Sequence, residues 1–371
     1  MPRYRDVYIE NGKTLADSGT VTIDIAVVDP ISELLVNMWA DNGGTSNKNN
    51  PIPRNISKIE IVDGSDVIFS MDGRLAHALA YYMDGRQHDL DIAEWETSTQ
   101  SVNIPLRFGR WLWDPLYALV PQSFRNLQLK ISWNLAAVNP VGATGYATGT
   151  GRLTVIAKLM EGLEAAPIGF IMSKNHYSFT SSASGEERVD LPTDHPYVMM
   201  MLRAWESGIN MSSTLTKVKI SIDEDKIIPL DLDMGDVRRR VIDQYGLIDV
   251  PIQFKGNDSE VHQCFLGFLN TLVPVANAAG VIVGLGTFDA AQYTLYLRNH
   301  DGTTPTAVTV FLTVNGQLPW NTVLIPFGVF DDPTTYLMAP AHGSIKAILT
   351  QGNAGAEVDV ILAQLRNYRA A

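Results

Sequence analysis

The chain carries one ordered series of short motifs twice. The first series runs Leu35-Val36-Asn37-Met38-Trp39, Ile56-Ser57-Lys58-Ile59-Glu60-Ile61, Asp66-Val67-Ile68-Phe69, a helical segment, Ile104-Pro105, Phe108-Gly109, Asp114-Pro115 and Leu127 to Ile131. The second runs Met201-Leu202-Arg203-Ala204-Trp205, Leu215-Thr216-Lys217-Val218-Lys219-Ile220, Asp225-Lys226-Ile227-Ile228, a second helical segment, Ile325-Pro326, Phe327-Gly328, Asp332-Pro333 and Ile345 to Leu349. Each series closes on a strand expected to alternate, Leu153 to Leu159 and Val358 to Leu365. Chance supplies single matches easily, but a colinear series of this length points to a tandem duplication. A chain of 371 residues also exceeds the usual size of one hydrophobic core, so each copy must bury its own.

Each copy reads as β. Leu153, Val155, Ala157 and Leu159 alternate with polar residues, and so do Val308, Val310, Leu312 and Val314. Period two marks a sheet with one wet and one dry face. Asp-Gly pairs at Asp63-Gly64, Asp72-Gly73, Asp84-Gly85 and Asp301-Gly302 punctuate the chain where glycine accepts positive φ. Two segments have helical spacing instead. Leu75, Leu79 and Tyr82 predict a helix over 74–84, with Asp72 as N-cap and Gly85 as terminator, and Val237, Val241 and Tyr245 predict one over 236–245. The expected fold is all-β: two tandem eight-stranded jelly-roll sandwiches with a short helix in each. The expected division is 1–177 for the first with an N-terminal arm, 178–190 for a small polar linker, and 191–371 for the second. A long loop-rich insertion is expected around 246–319, a candidate for decoration outside the compact body.

Composition narrows the function. Hydrophobic residues make up 46% and charged residues 18%, which suits a globular chain. A net charge of −12 argues against a cationic surface wrapped around nucleic acid. The one cysteine, Cys264, cannot form an internal disulfide, so folding in a reducing cytoplasm is expected. The N-terminus lacks the apolar run of a signal peptide, and the most apolar stretch, Thr271 to Gly286, is broken and too short to span a bilayer, so a soluble chain is expected.

No reaction centre is legible, and none is expected: no catalytic residue, no cofactor and no metal. His77, His88, His176, His195, His262, His300 and His342 are scattered, without the His-x-His spacing a metal-binding jelly roll would use. Cys264 sits among apolar neighbours, where a structural thiol is expected rather than a nucleophile. Gly280 to Gly286 lacks the Lys-Ser/Thr ending of a phosphate loop. Acidic clusters at Asp231, Asp233 and Asp236 and at Asp89, Asp91, Glu94 and Glu96 suit a divalent ion, but the first also offsets a helix dipole. Arg238-Arg239-Arg240 is the one dense basic run, suited to a solvated or inter-subunit salt-bridging face, or to contact with anionic lipid or nucleic acid. Trp111-Leu112-Trp113 suits core or interface packing, or a platform for a sugar ring. The polar arm 1–17, with Arg3, Arg5 and Lys13, is expected to be disordered alone and to order on assembly.

Two blocks carry a resemblance. One is Ser57 to Ser70 followed by Gly73-Arg74-Leu75-Ala76 and Ala78 to Tyr82. The other is Ile104 to Arg110 with Trp113-Asp114-Pro115 and Leu127 to Ile131. Over about residues 50–135 the chain resembles the double jelly-roll major capsid proteins of tailless icosahedral viruses, the tectivirus and adenovirus-hexon lineage. The resemblance implies a homotrimeric, pseudo-hexagonal capsomer that tiles an icosahedral virion shell, as in a bacteriophage, and is made in the host cytoplasm. Its implied partners are neighbouring capsomers, minor capsid and penton proteins and an internal viral membrane, without sequence-specific contact to nucleic acid. Arg3, Arg5, Arg238, Arg239 and Arg240 are then candidate assembly or membrane-proximal contacts. The alternative is a carbohydrate-binding tandem β-sandwich of spike or lectin type, and a third class is a glycoside-processing jelly-roll enzyme with two buried acids in a cleft.

Overall fold

A computed structural model describes residues 2–44, 47, 50–93, 98–136, 145–206, 208–256, 261–265, 268–270, 281–285, 292–299 and 308–368, with backbone alone over most of 249–315. The first repeat contains β1 (Arg3–Thr14), β2 (Ser18–Asp24), β3 (Ile31–Asp41), a single turn α1 (Ile52–Asn55), β4 (Ile56–Asp63), β5 (Asp66–Met71), α2 (Gly73–Asp84), β6 (Leu90–Ala93), β7 (Thr99–Arg107), β8 (Leu127–Asn134) and β9 (Arg152–Glu161). The second contains β10 (Gly169–Thr180), β11 (Gly185–Leu191), β12 (Tyr197–Trp205), α3 (Met211–Thr214), β13 (Leu215–Ile222), β14 (Ile227–Asp233), α4 (Met234–Tyr245) and β15 (Ile248–Gly256). It continues through β16 (Val261–Phe265), β17 (Phe268–Asn270), β18 (Val281–Leu285), β19 (Gln292–Asn299), β20 (Val308–Pro319), β21 (Thr322–Pro326), β22 (Ile345–Gln351) and β23 (Glu357–Asn367).

The duplication is visible as strand order. In the first repeat the sheets run β1-β9-β3-β7 and β2-β8-β4-β5; in the second they run β10-β23-β12-β21 and β11-β22-β13-β14. The two orders are the same once each strand is replaced by its counterpart, and both give two facing four-stranded sheets, the jelly roll. Alternation builds the dry faces. On β8, Leu127, Leu129, Ile131 and Trp133 are buried and the residues between them are not; on β22, Ile345, Ala347 and Leu349 repeat the pattern. They meet Ile59, Ile61, Val155, Ala157, Val218 and Ile220 in a continuous core. Truncating any of the fully buried Leu or Ile to Ala costs about 2–5 kcal/mol.

Several expectations need correction. The arm 1–17 is not disordered: from Arg3 to Thr14 it is β1, paired antiparallel with β9, because Val7 and Ile9 pack on the core. Deleting 1–6 would remove the pairs of Arg3, Tyr4, Arg5 and Asp6 with β9, so it disturbs the fold as well as any contact outside it. Residues 178–190 are not a free linker. β10 runs to Thr180 and β11 starts at Gly185, and the small polar composition reflects the exposed strand ends and the tight connection between them. Within the insertion around 246–319 the described residues from Ile248 on are strand, with β15 paired to β20 and β16-β19-β18 in a small sheet. Its outward direction, Gly280 to Gly286 as a whole, the turn at Asp301-Gly302 and the side chain of Cys264 lie outside the described residues. Finally, β23 does not alternate: Val358 through Leu365 is buried throughout, because this central strand is covered on both faces.

The helices follow their caps. Asp72 accepts from the Leu75 amide at 2.8 Å, and Gly85, at φ 63°, closes α2 with its amide on the Tyr81 carbonyl. α2 is buried on nearly every side, beyond its predicted stripe, because the second repeat covers it; α4 buries only Met234, Val237 and Val241. Among the described residues no helix is long and apolar enough to cross a membrane.

Candidate assembly surfaces

The seam between the repeats is itself a protein interface. β5 pairs in parallel with β10, Phe69 opposite Ser173 and Ser70 opposite Lys174, so one sheet of each repeat fuses into a single eight-stranded sheet. β6 pairs in parallel with β15 in the same way. Side chains then lock the seam. Arg366 bridges to Asp66 at 2.7 Å, and this contact holds the Asp66 carboxyl below its usual range. The Tyr368 hydroxyl donates to the Ala118 carbonyl at 2.8 Å and accepts from the Val120 amide at 2.7 Å. On α2, the Tyr82 hydroxyl donates to the Thr322 carbonyl at 2.8 Å and the Tyr81 hydroxyl to the Tyr245 carbonyl at 3.0 Å. Trp320 donates its indole N–H to Nδ1 of buried His77 at 3.1 Å, and burial drives the His77 pKa down to about 3. Arg74 of the first repeat pairs with its neighbour Asp72 at 2.7 Å and reaches Glu357 of the second at 3.4 Å, while Arg203 of the second, almost fully buried, binds Glu357 at 2.9 Å and Asp359 at 3.1 Å and lies 3.9 Å from Asp72 across the seam.

The repeated Phe-Gly and Asp-Pro motifs form matching corners. A Cβ on Gly109 would meet the Tyr117 carbonyl and, at 2.8 Å, the Asp114 Cβ; a Cβ on Gly328 would meet the Thr335 carbonyl at 2.6 Å. Asp114 accepts from the Leu116 amide at 3.0 Å and Asp332 from the Thr334 amide at 3.0 Å, two residues on in each case. One difference joins the corners. Arg110 grips Asp114 through Nε at 2.7 Å and Nη2 at 3.0 Å, and its Nη1 donates to the Asp331 carbonyl of the other corner at 2.9 Å. Around this contact Trp111, Leu116, Ile168, Val329 and Met338 are exposed, large and apolar. Isolated exposed apolar residues are ordinary, but a group on neighbouring loops suits a protein contact. Trp111 is capped by the Arg110 guanidinium, 4.1 Å from its ring centre, and Trp113 packs on Tyr4 at 4.8 Å; the first contact blocks one ring face a sugar would need.

The five arginines singled out by sequence fall into two groups on different repeats. Arg3 and Arg5 lie on exposed β1, where Arg5 pairs with Glu161 at 2.5 Å and Asp29 at 3.3 Å. Arg238, half-buried, donates to Asn210 at 2.8 Å; Arg239 pairs with Asp236 at 2.7 Å; Arg240 is exposed beside Pro229, Leu230 and Gln244. Sequence reading missed Arg110 and Arg203 as seam residues. The repeated Asp-Pro was the available signal for Arg110; nothing local marked Arg203.

The titratable groups with chemical potential are held in structural contacts. His88 faces Asp84 at 2.9 Å, His342 faces Asp223 at 3.0 Å and His176 faces the Asp190 carbonyl at 2.9 Å. The His342 contact and the Gly343 amide hold the Asp223 carboxyl below its usual range. Asp231 pairs with Lys217 at 2.8 Å, and Asp89 accepts from Ser101 at 3.3 Å. Glu94, Glu96, His300 and the His262 side chain lie outside the described residues. Among the described residues no three His, Cys, Asp or Glu side chains are grouped to hold a metal ion. A cleft of about 690 Å³ lies along the seam and mixes Asp63, Asp66 and Asp194 with Lys174, His195 and Arg366. Burial lowers the pKa of both Lys174 and His195 there.

No family model matches the sequence. No curated protein matches it either. The fold does match solved structures over nearly its whole length. The MCP of Sulfolobus turreted icosahedral virus superposes with a TM-score of 0.57 at 12% identity, covering 99% of this chain and 97% of that one. VP54 of PBCV-1 gives 0.58 at 9% identity, covering 98% and 94%. The major capsid protein P2 of bacteriophage PM2 gives 0.54 at 10% identity, with both chains covered completely. The chain therefore has the double jelly-roll fold of these viral capsid proteins.

Proposed function

We propose that this chain is a major capsid protein whose activity is self-association into a virion shell. Its unit is a homotrimer, and the trimers tile an icosahedral capsid. The observation that carries the reading is the repeated strand order, matched end to end by the capsid proteins of Sulfolobus turreted icosahedral virus and bacteriophage PM2. Two similar sandwiches per chain give a trimer six nearly equivalent blades, and a six-bladed tile packs on a flat facet with one gene product. Contacts inside such a tile are closed rotations, and those between tiles are heterologous. The exposed apolar group around Arg110 suits one of these contacts, with neighbouring capsomers and minor or penton proteins as partners. An internal viral membrane is a further partner for the exposed Arg239 and Arg240, and a net charge of −12 suits a shell that does not itself grip the genome. No catalytic step is part of the reading.

Light scattering on the purified protein tests it. The expected particle is about 122 kDa, three times the 40.8 kDa chain, going on to ordered sheets or shells at higher concentration. A stable monomer at every concentration contradicts the reading and favours a monomeric binding module.

A further inference from the structure

We propose that the free edge of β14 pairs in parallel with the free edge of β1 of a second copy of this chain, head to tail, and that this pairing closes the ring. The inference rests on the capsomer reading and adds its register. The chain already contains the template, since β5 pairs in parallel with β10 at the seam. β14 is the counterpart of β5 and β1 the counterpart of β10, and each stands last in its sheet, with no described strand on its outer edge. Whatever rotation carries the first repeat onto the second, repeating it brings β14 against β1 of the next chain.

The register follows from pairs already described. Phe69 stands opposite Ile61 on β4 and Leu230 opposite Ile220 on β13, and Ile61 and Ile220 are the same place in the two series. Leu230 and Asp231 thus replace Phe69 and Ser70, two residues beyond the sequence match of Phe69 with Ile228, because the turn between β13 and β14 is two residues longer than that between β4 and β5. On the other side, Ser173 stands opposite Ala363 and Asp6 opposite Lys158, and those two partners face Met199 and Glu33 at one position of the repeat. Asp6 and Val7 thus replace Ser173 and Lys174. The register break after Asn175 on β10 recurs after Tyr8 on β1, two residues beyond the paired position in both, which fixes the correspondence independently. The new contact therefore sets Leu230 opposite Asp6 and Asp231 opposite Val7.

Exposure agrees. Tyr4 and Tyr8 on β1 are 53% and 60% exposed, and Ile227 and Ile228 on β14 are 49% and 45% exposed. Ile171, which occupies the Tyr4 position at the seam, is 1% exposed. Open edges with large apolar side chains invite pairing and are normally blunted or covered. The helices show the same asymmetry, since α2 is covered by the following repeat while the outward face of α4, its counterpart, is open.

Cysteine cross-linking tests the register. In a Cys264→Ser background, Val7→Cys and Asp231→Cys are combined. Neighbouring strands lie about 4.8 Å apart, within disulfide reach. Oxidation is expected to give a covalent trimer on a non-reducing gel, reversed by reductant, with no trimer from either single-cysteine chain. A trimer by mass without the cross-link overturns the edge pairing and leaves the capsomer reading standing; a monomer by mass overturns both. As a second variant, Tyr8→Glu should leave circular dichroism unchanged and weaken trimer formation at least about tenfold, because it sets a charge in the new contact. Unchanged trimer stability in that variant counts against the pairing.

Discussion

Asp114→Ala is expected to lower the unfolding free energy by about 3–5 kcal/mol, the cost of leaving a buried ionic partner uncompensated. Asp114 is fully buried and does three things at once. It forms a two-point ion pair with Arg110, accepts the Leu116 amide and accepts the Arg110 amide at 3.2 Å. Without it the Arg110 guanidinium keeps only the Asp331 carbonyl and the ring contacts with Trp111 and Tyr117. The loss also loosens the bridge between corners, so both repeats should feel it. In thermal denaturation this corresponds to a fall of roughly 10 °C. Asp332→Ala is the internal control. It removes the same turn bond in the second repeat, but Asp332 is exposed and its hydrogen bonds come from Thr334 instead of an arginine, so a much smaller loss than at Asp114 is expected. Equal costs at the two sites would show that the buried ion pair contributes little.

The second large effect is acid destabilisation through His77. The ring is buried in α2, accepts the Trp320 N–H and lies near His88, and its pKa falls from 6.5 to about 3. The folded protein therefore keeps His77 neutral where the unfolded chain protonates it. The unfolded state binds the extra proton between these limits, so stability is full above about pH 6.5 and is lost as pH falls towards 3, at up to about 1.4 kcal/mol per pH unit. The whole span is on the order of 4 kcal/mol. His195, also shifted down by burial, adds in the same direction but is partly exposed and adds less. Asp91 opposes them, because burial and neighbouring Asp89 raise its pKa and its contribution is lost as pH rises. Asp66 and Asp223, both shifted down, act at lower pH, at and below the ordinary carboxylate range. Denaturant titrations at several pH values from 7 to 4 should show the slope in the parent chain and a flatter line in His77→Gln. An equal slope in both would remove His77 as its origin. Because His77 and Trp320 face each other across the seam, the acid-weakened contact is between repeats.

The sequence carried the architecture because the duplication is a long-range signal that survives local ambiguity. Strand type followed from alternation on β9 and β20, and α2 was bounded by residues whose roles are local, Asp72 and Gly85. What failed depended on tertiary context. The arm read as disordered because β1 is an exposed edge whose order comes from β9, 140 to 160 positions away along the chain. Residues 178–190 read as a linker because strand ends near solvent have the composition of loops. The seam residues were the least legible. Charge density singles out Arg238, Arg239 and Arg240 in the sequence, whereas Arg203 looks like any strand arginine until Asp359, Glu357 and Asp72 are brought beside it. Open edges cannot be seen in a sequence at all, since they are defined by the strand that is missing from one side.

Electron microscopy of the purified, negatively stained particle tests the central claim most directly. Two like sandwiches per chain, repeated three times, should give class averages with six lobes around a centre, alternating in outline so that only threefold symmetry is exact. Averages showing a single two-lobed body, or a twofold dimer in which like edges meet, would contradict it.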